Sequence, residues 1–142
     1  KDKHSASLQR IQIIKGSITN SGARPSEKVF DVVCSDGLKV DPTTHRCPDN
    51  GARVNIEDCS ITSNVGATEL KATWRDPEFN PKDKAFYYVR VLENPTCRWS
   101  TWDALKAGIK PRSDLHETIQ ERAWSSPIWY IPVPEDIDIF AL

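Results

Sequence analysis

The run of eight residues from Ala85 to Leu92 constrains the fold more than any other stretch of this chain. Most of its residues are aromatic or β-branched, and Arg90 is its one charged residue. Residues of these types favour strands, so the run is expected to form a buried central strand. Asn94-Pro95 ends it, because proline cannot donate to a ladder and biases its predecessor towards extended or turn geometry.

Alternating apolar and polar residues predict further strands on both sides of this run. Leu8–Lys15 and Glu27–Cys34 are expected to pair as a hairpin with a long connection. Glu69–Arg75 has the cleanest alternation and is predicted to be a strand with one face in water. Val54–Ile61 predicts a short edge strand. Ala123–Ile131 predicts a last strand, which its internal proline places at a sheet edge.

Two short helical segments are expected after the central strand. Ser100 is the predicted N-cap of the first, and Gly108 ends it. Asp114 begins a second turn that runs to Arg122. Five or six strands with brief helices predict a mainly β fold, an antiparallel β-sandwich of the immunoglobulin or fibronectin type. The predicted regions are a loose N-terminal entry at 1–7, a single sandwich domain at 8–132 and a C-terminal tail at 133–142.

The four cysteines form an even set with no CxxC pair. Zinc sites usually take two ligands from one tight knuckle, so two disulfides are predicted, with free buried thiols as the alternative. Disulfides imply a periplasmic or secreted protein. Three pairings are possible, and a short polar loop favours Cys34 with Cys47 and Cys59 with Cys97. Such bridges would explain why residues 35–60 form a long loop without periodicity.

Composition excludes several partners. There are 19 basic and 20 acidic residues, so no field favours nucleic acid or an anionic membrane. No apolar run approaches the roughly 20 residues that a membrane span needs. The chain contains no methionine and begins at Lys1, so we expect a processed form or a piece of a longer protein. His4, His45 and His116 lie in separate polar contexts, and neither a metal site nor a catalytic site is predicted.

Arginine and tryptophan residues after the central strand are the main candidates for a functional surface. Exposed tryptophan beside arginine can stack on a sugar ring or a base. The commoner role of such rings is the core of a small sandwich, and that role is the one expected here. The candidate interface or ligand-stacking residues are Arg98, Trp99, Trp102, Arg122, Trp124 and Trp129.

Several blocks resemble the C-terminal region of the bacterial DUF3604 family. They begin with Leu8-Gln9-Arg10-Ile11-Gln12-Ile13-Ile14-Lys15-Gly16, Gly66-Ala67-Thr68-Glu69-Leu70 and Asp76-Pro77-Glu78-Phe79, and continue through residues 85–96 and Arg98-Trp99-Ser100-Thr101. The last block is Ile119-Gln120-Glu121-Arg122-Ala123-Trp124-Ser125-Ser126-Pro127-Ile128-Trp129-Tyr130. The matches keep the same order over most of residues 8–132.

The resemblance implies that the chain is the β-rich C-terminal region of a long, often exported protein. The N-terminal part of such a protein resembles the PHP class of metal-dependent phosphoesterases. Its divalent-metal ligands would lie upstream of Lys1, so no cofactor is expected in this chain. We expect an accessory domain that packs on the catalytic domain through Arg98, Trp99, Arg122 and Trp124. The alternative is a module that binds carbohydrate or cell-envelope polymer through Trp99 and Trp102. An unfilled sheet position would also allow edge-strand self-association.

Overall fold

A computed structural model describes residues 1–18 and 24–133. The predicted tail therefore lies outside the described residues, apart from Val133. In the described part the fold is mainly β, as predicted. Its elements are β1 (Leu8–Ile18), β2 (Ser26–Cys34), β3 (Lys84–Glu93), β4 (Thr96–Cys97), α1 (Trp99–Lys106), β5 (Thr118–Ile119), β6 (Arg122–Trp124) and β7 (Ile128–Tyr130).

The longer strands form one antiparallel sheet in the order β2-β1-β3, with β6 and β7 both paired to the outer side of β3. The central position predicted for residues 85–92 is confirmed, and so is the β1–β2 hairpin. Strands β4 and β5 form a separate two-stranded sheet. The antiparallel β class is thus confirmed, and the sandwich remains a prediction. Ile14 and Phe30 are among the most deeply buried side chains, with exposures of 0% and 2%.

Residues 69–79 cross one face of the sheet as an extended segment, which we call the strap. The strand predicted at Glu69–Arg75 is wrong, because these residues pair with no other strand. Their apolar side chains pack on the sheet instead: the ring of Trp74 lies 5.2 Å from that of Phe30 and 6.4 Å from that of Tyr87. The alternation of apolar and polar residues in 69–75 therefore reflects packing on one face of the sheet rather than pairing within the sheet.

Residues 41–47 cover the outer edge of β2 over its second half, from Asp31 to Cys34. The amide of Asp31 donates to the carbonyl of His45 at 2.9 Å, in the direction a neighbouring strand would occupy. The rings of His45 and Phe30 are 5.2 Å apart, so His45 packs against the sheet. A disulfide between Cys34 and Cys47 fixes the segment in place.

A buried polar cluster fastens the rest of the long loop to the end of β3. The side chain of Asn94, 4% exposed, donates to the carbonyl of Val65 at 2.9 Å. Its oxygen accepts from Asn50 at 2.9 Å. Asn50 also donates to the hydroxyl of Ser35 at 3.1 Å and accepts from Gln9 at 3.1 Å. Satisfied amides hold this irregular segment where no ladder exists.

The second disulfide joins Cys59 to Cys97, so both favoured pairings are confirmed. The edge strand predicted at Val54–Ile61, the segment that contains Cys59, is wrong. Val54 and Ile61 form a single bridge to each other across a tight turn. The residues between Val54 and Ile61 include asparagine, aspartate and serine. These residue types favour turns over paired strands.

Helix α1 follows β4 and is the one helix of the described residues. It begins one residue before Ser100, and Arg98 takes the N-cap position without a side-chain cap. Gly108, with φ of +66°, follows the helix end, as predicted. The second helical turn predicted at 114–122 is wrong. Thr118 and Ile119 pair with β4 instead, and Glu117 offers its carbonyl to the hydroxyl of Thr101 at 2.7 Å.

The last predicted strand is present as two three-residue strands, β6 and β7, separated at residues 125–127. Among the described strands both pair with β3 alone, so the predicted position at a sheet edge is confirmed. Pro127 lies in the gap, where no ladder bond is required of it.

Candidate functional site

The sheet register places three of the predicted interface residues on one side of the sheet. Across the β3 ladder, Trp129 pairs with Phe86, Trp124 with Arg90 and Arg122 with Leu92. Alternate residues of a strand share a face, so the even-numbered residues of β3 and these three partners lie together. We call Arg122, Trp124 and Trp129 the aromatic face.

The aromatic face is open to solvent. Trp124 is 60% exposed and Trp129 67%, and Arg122 is also exposed. Trp99 and Trp102 are exposed too, at 70% and 41%. The expectation that these four rings fill a core is therefore wrong. Trp124 lies on β6 and Trp129 on β7, both at the edge of the sheet, and the other two rings lie on α1. These positions are outside the packing of β1, β2 and β3 that buries Ile14 and Phe30.

Packing beneath the aromatic face orients Trp129. Its ring lies 5.3 Å from that of Phe86, and Phe86 in turn lies 6.4 Å from Tyr88 with the planes 9° apart. Phe86 rests on Gly16 of β1, where a Cβ atom would come within 2.3 Å of the ring. The missing side chain of Gly16 thus allows an aromatic column that supports one side of Trp129 and leaves the other side free.

An open apolar cavity of about 580 Å³ adjoins this column at the end of the sheet. Ile18, Ala85, Phe86, Trp129 and Ile131 line it, and Lys84 lies among the lining residues. Its volume lies in the range of small-molecule sites. Few polar groups converge on it, so its chemistry is that of a surface that excludes water.

Arginines surround a single buried carboxylate on the same face of the sheet. The side chain of Asp31 is 1% exposed, and its oxygens lie 3.7 Å from Arg10 and 3.6 Å from Arg46. Gln12 donates to Asp31 at 2.6 Å and accepts from Arg90 at 2.7 Å. Three guanidinium groups thus share one carboxylate, directly or through Gln12. Arg90 lies nearest the aromatic face, because it pairs with Trp124 across the β3–β6 ladder.

Helix α1 carries the second group of candidate residues. Trp99 and Trp102 are three residues apart, a spacing that places both on one side of a helix. Arg98 precedes them, and its Nε atom is buried without a hydrogen-bond partner. The structure therefore divides the six predicted residues into two sets. Arg98, Trp99 and Trp102 lie at the start of α1, whereas Arg122, Trp124 and Trp129 lie on the sheet.

A buried ionic cluster on the opposite face holds the strap to the sheet. Lys15 lies 2.6 Å from the carboxylate of Asp76, and both side chains are under 10% exposed. Tyr87 donates to the same carboxylate at 2.7 Å, and Lys15 also donates to the carbonyl of Glu78 at 2.8 Å. Each polar group is paired within the cluster, so it acts as a clamp.

The ionisation of this cluster follows from its contacts. Burial raises the pKa of the Asp76 carboxyl, but hydrogen bonds from Lys15 and Tyr87 outweigh burial and bring the pKa below its usual 3.8. Burial and the hydrogen bond to Asp76 raise the pKa of Tyr87 above its ordinary value. Asp76 is therefore ionised and Tyr87 protonated at neutral pH. Sequence inspection missed this cluster, although a lysine inside the apolar alternation of β1 was a signal for it.

The part of the chain that the structure describes has neither a cluster suited to a metal ion nor a free thiol. There, no group of three or more His, Cys, Asp or Glu residues is placed to hold a metal ion. The four cysteines are paired as disulfides. Over the same residues, no helix has the length and apolar character needed to cross a membrane.

These features define a disulfide-linked antiparallel β protein with an exposed tryptophan-bearing sheet edge. The chain belongs to the DUF3604 family, whose model, described as a protein of unknown function, matches residues 1–132. No curated protein and no solved structure matches the chain.

Proposed function

We propose that this chain is a non-catalytic accessory β domain that packs through its aromatic face on the catalytic domain of a longer, exported protein. The resemblance described above suggests a PHP-like metal-dependent phosphoesterase as that catalytic domain. The two disulfides are consistent with an oxidising, extracytoplasmic compartment. In this role the chain contributes surface and shape to the active-site cleft, and the upstream domain supplies the metal ligands.

The exposure of Trp124 and Trp129 on one face of an edge is the observation that carries the proposal. Tryptophan and arginine are enriched where protein surfaces bury each other and are frequent hot spots there. Two indoles on one face that are each more than half exposed leave a large apolar area in water, which association would remove. Arg90, which pairs with Trp124 across the β3–β6 ladder, adds a positive charge that would complement an acidic partner surface.

Oxidative footprinting with mass spectrometry tests this role in the complete protein that contains the sequence. The oxidation rate of each tryptophan reports the solvent exposure of its ring. We expect Trp124 and Trp129 to react several-fold more slowly than their 60% and 67% exposure in this chain implies. Trp99, at 70%, serves as the internal reference for a free indole.

A second measurement uses matched variants. Trp124→Lys would place a charge in the proposed junction and loosen it, so limited proteolysis should cleave between the domains faster. Trp102→Lys makes the same chemical change at an exposed position on α1 and should leave cleavage unchanged. Equal oxidation of Trp124, Trp129 and Trp99 in the complete protein, with no effect of Trp124→Lys, would refute the proposal.

Carbohydrate binding through α1 is the second candidate function. Trp99 and Trp102 share one side of the helix and are both exposed, which is the arrangement that stacking on sugar rings requires. Titration of soluble glycans and peptidoglycan fragments should then shift the tryptophan fluorescence, and Trp99→Ala should abolish the shift while Trp129→Ala keeps it. No shift at millimolar sugar would exclude this function.

A further inference from the structure

The two outer edges of the five-stranded sheet are treated differently. Residues 41–47 cover the second half of the β2 edge through a backbone hydrogen bond from Asp31 and the Cys34–Cys47 disulfide. Along the opposite edge, every residue from 121 to 129 is exposed. No described strand pairs with the outer side of β6 or β7. Exposed edges invite pairing with another chain, and native proteins usually protect them.

The direction of the backbone groups along this open edge follows from hydrogen bonds on its inner side. Glu121 accepts from the amide of Glu93 at 3.0 Å, and the amide of Ser125 donates to Val89 at 3.0 Å. Backbone groups alternate in direction along an antiparallel strand. Those of Arg122 and Trp124 therefore point away from β3, towards solvent.

The same alternation extends to β7. The backbone amides and carbonyls of the odd-numbered residues of β3 point towards β6 and β7. Ala85 pairs with Tyr130, and Tyr87 pairs with Ile128. The amide and carbonyl of Trp129 consequently point outward as well. The three residues of the aromatic face thus combine exposed side chains with outward backbone groups to which no described strand is bonded.

Both faces of the open edge are apolar. Trp124 and Trp129 occupy one face, and Ile128, 73% exposed, occupies the other. With Ile131, 68% exposed, they present on the order of 500 Å² of apolar surface, against roughly 800 Å² that each partner buries in a standard interface. A flanking strand would cover much of that surface on both faces, whereas a globular surface docked on one face would not reach Ile128.

We infer that the partner domain of the proposed function adds an extended strand to the β6–β7 edge. Its backbone bonds the outward amides and carbonyls of Arg122, Trp124 and Trp129, and its alternate apolar side chains pack beside the indoles and Ile128. A second copy of this chain is a poorer occupant, because its own edge is broken at Pro127 and offers three residues at a time. The inference rests on the proposed function and specifies how the contact is made.

Residue-resolved amide hydrogen exchange on the complete protein tests the inference with an internal control. An open edge predicts alternation, with slow exchange at Ala123 and Ser125 and fast exchange at Arg122 and Trp124. A paired edge predicts that Arg122, Trp124 and Trp129 exchange about as slowly as Ala123. The alternating pattern in the complete protein would overturn the inference.

Two substitutions at Arg122 separate backbone from side-chain effects. Arg122→Pro removes the outward amide together with the guanidinium and takes no hydrogen bond from the β3 ladder, so the fold is kept. We expect it to speed exchange at Trp124 roughly tenfold, because the added strand loses hydrogen bonds. Arg122→Ala removes the guanidinium but keeps the amide, so it should speed that exchange far less. Equal effects of the two variants would contradict strand addition.

The outcomes distinguish this inference from the proposed function. Protected indoles with alternating amide exchange would retain the domain contact and reject the added strand. Free indoles with alternating exchange would reject both. If slow exchange disappears on dilution, and light scattering shows that a dimer dissociates at the same time, the occupant is a second copy of the chain. That result would reject the partner-domain strand.

Discussion

Gly66 shows at the scale of one residue how the long loop is fixed. Its φ of +90° is a backbone conformation that residues with a side chain rarely adopt. Its amide donates to the Asp36 carboxylate at 2.9 Å. A Cβ atom there would lie 2.6 Å from Ser7 Cβ and 3.0 Å from the carbonyl oxygen of Leu8. The hydrogen bond from Ser35, and that from Gly66, lower the pKa of Asp36. Glycine is therefore needed for both its conformation and its small size.

Replacing Gly66 should cost more than backbone strain alone. Gly66→Ala should lower the free energy of unfolding by about 3 kcal/mol, combining left-handed strain with overpacking against the start of β1. Gly37→Ala is the matched control, because Gly37 has φ of +67° and no atom within 4 Å of its hypothetical Cβ. It should cost about 1 kcal/mol. Urea denaturation measures both, and equal losses would show that the close approach is unimportant.

At the scale of elements, the strap depends on a buried ion pair. Removal of one partner leaves a buried, unpaired charge, so Asp76→Asn should cost about 3 kcal/mol. Replacing both groups by apolar ones, Lys15→Met with Asp76→Leu, should cost far less, since neither charge then needs a partner. Chemical denaturation of the three proteins is the measurement. A double variant as unstable as Asp76→Asn would show that the clamp itself supplies net stability.

The lowered pKa of Asp76 also predicts how stability changes with pH. A carboxyl whose pKa is lower in the folded state stabilises the fold fully above its unfolded pKa of about 4. That contribution is lost as the pH falls below about 4, through the folded value. Thermal unfolding between pH 2 and 6 should show a smaller acid-dependent loss in Asp76→Asn than in the parent protein. Parallel curves would mean that other carboxyls govern acid unfolding.

At the scale of the whole molecule, the disulfides replace regular structure over residues 35–83. The Cys59–Cys97 bridge spans 38 residues and the Cys34–Cys47 bridge spans 13. The chain entropy of loop closure then predicts how far removal of each bridge lowers the free energy of unfolding. The decrease should be about 4 kcal/mol for Cys59→Ala with Cys97→Ala and about 3 kcal/mol for Cys34→Ala with Cys47→Ala. Urea denaturation tests the order. The reverse order would indicate that the cover over β2 contributes more than loop closure.

Sequence inspection predicted the features that depend on local pattern. Residues 85–92 form the central strand because β-branched and aromatic residues suit a pleated, half-buried surface. The short loop between Cys34 and Cys47 favoured the observed pairing, and Pro127 placed the last strand at an edge. The candidate residues of the aromatic face were identified by type, since arginine and tryptophan are suited to contact surfaces.

Only the tertiary structure decided which surfaces these patterns face. Alternation in residues 69–75 cannot distinguish pairing within a sheet from packing across it, because both bury every second side chain. The exposure of Trp124 and Trp129 likewise depends on where the sheet ends, and β6 and β7 have no described neighbour on their outer side. Sequence by itself indicated the strands of the main sheet, the two disulfides and the candidate residues. Long-range pairing determined which indoles share a face and are exposed.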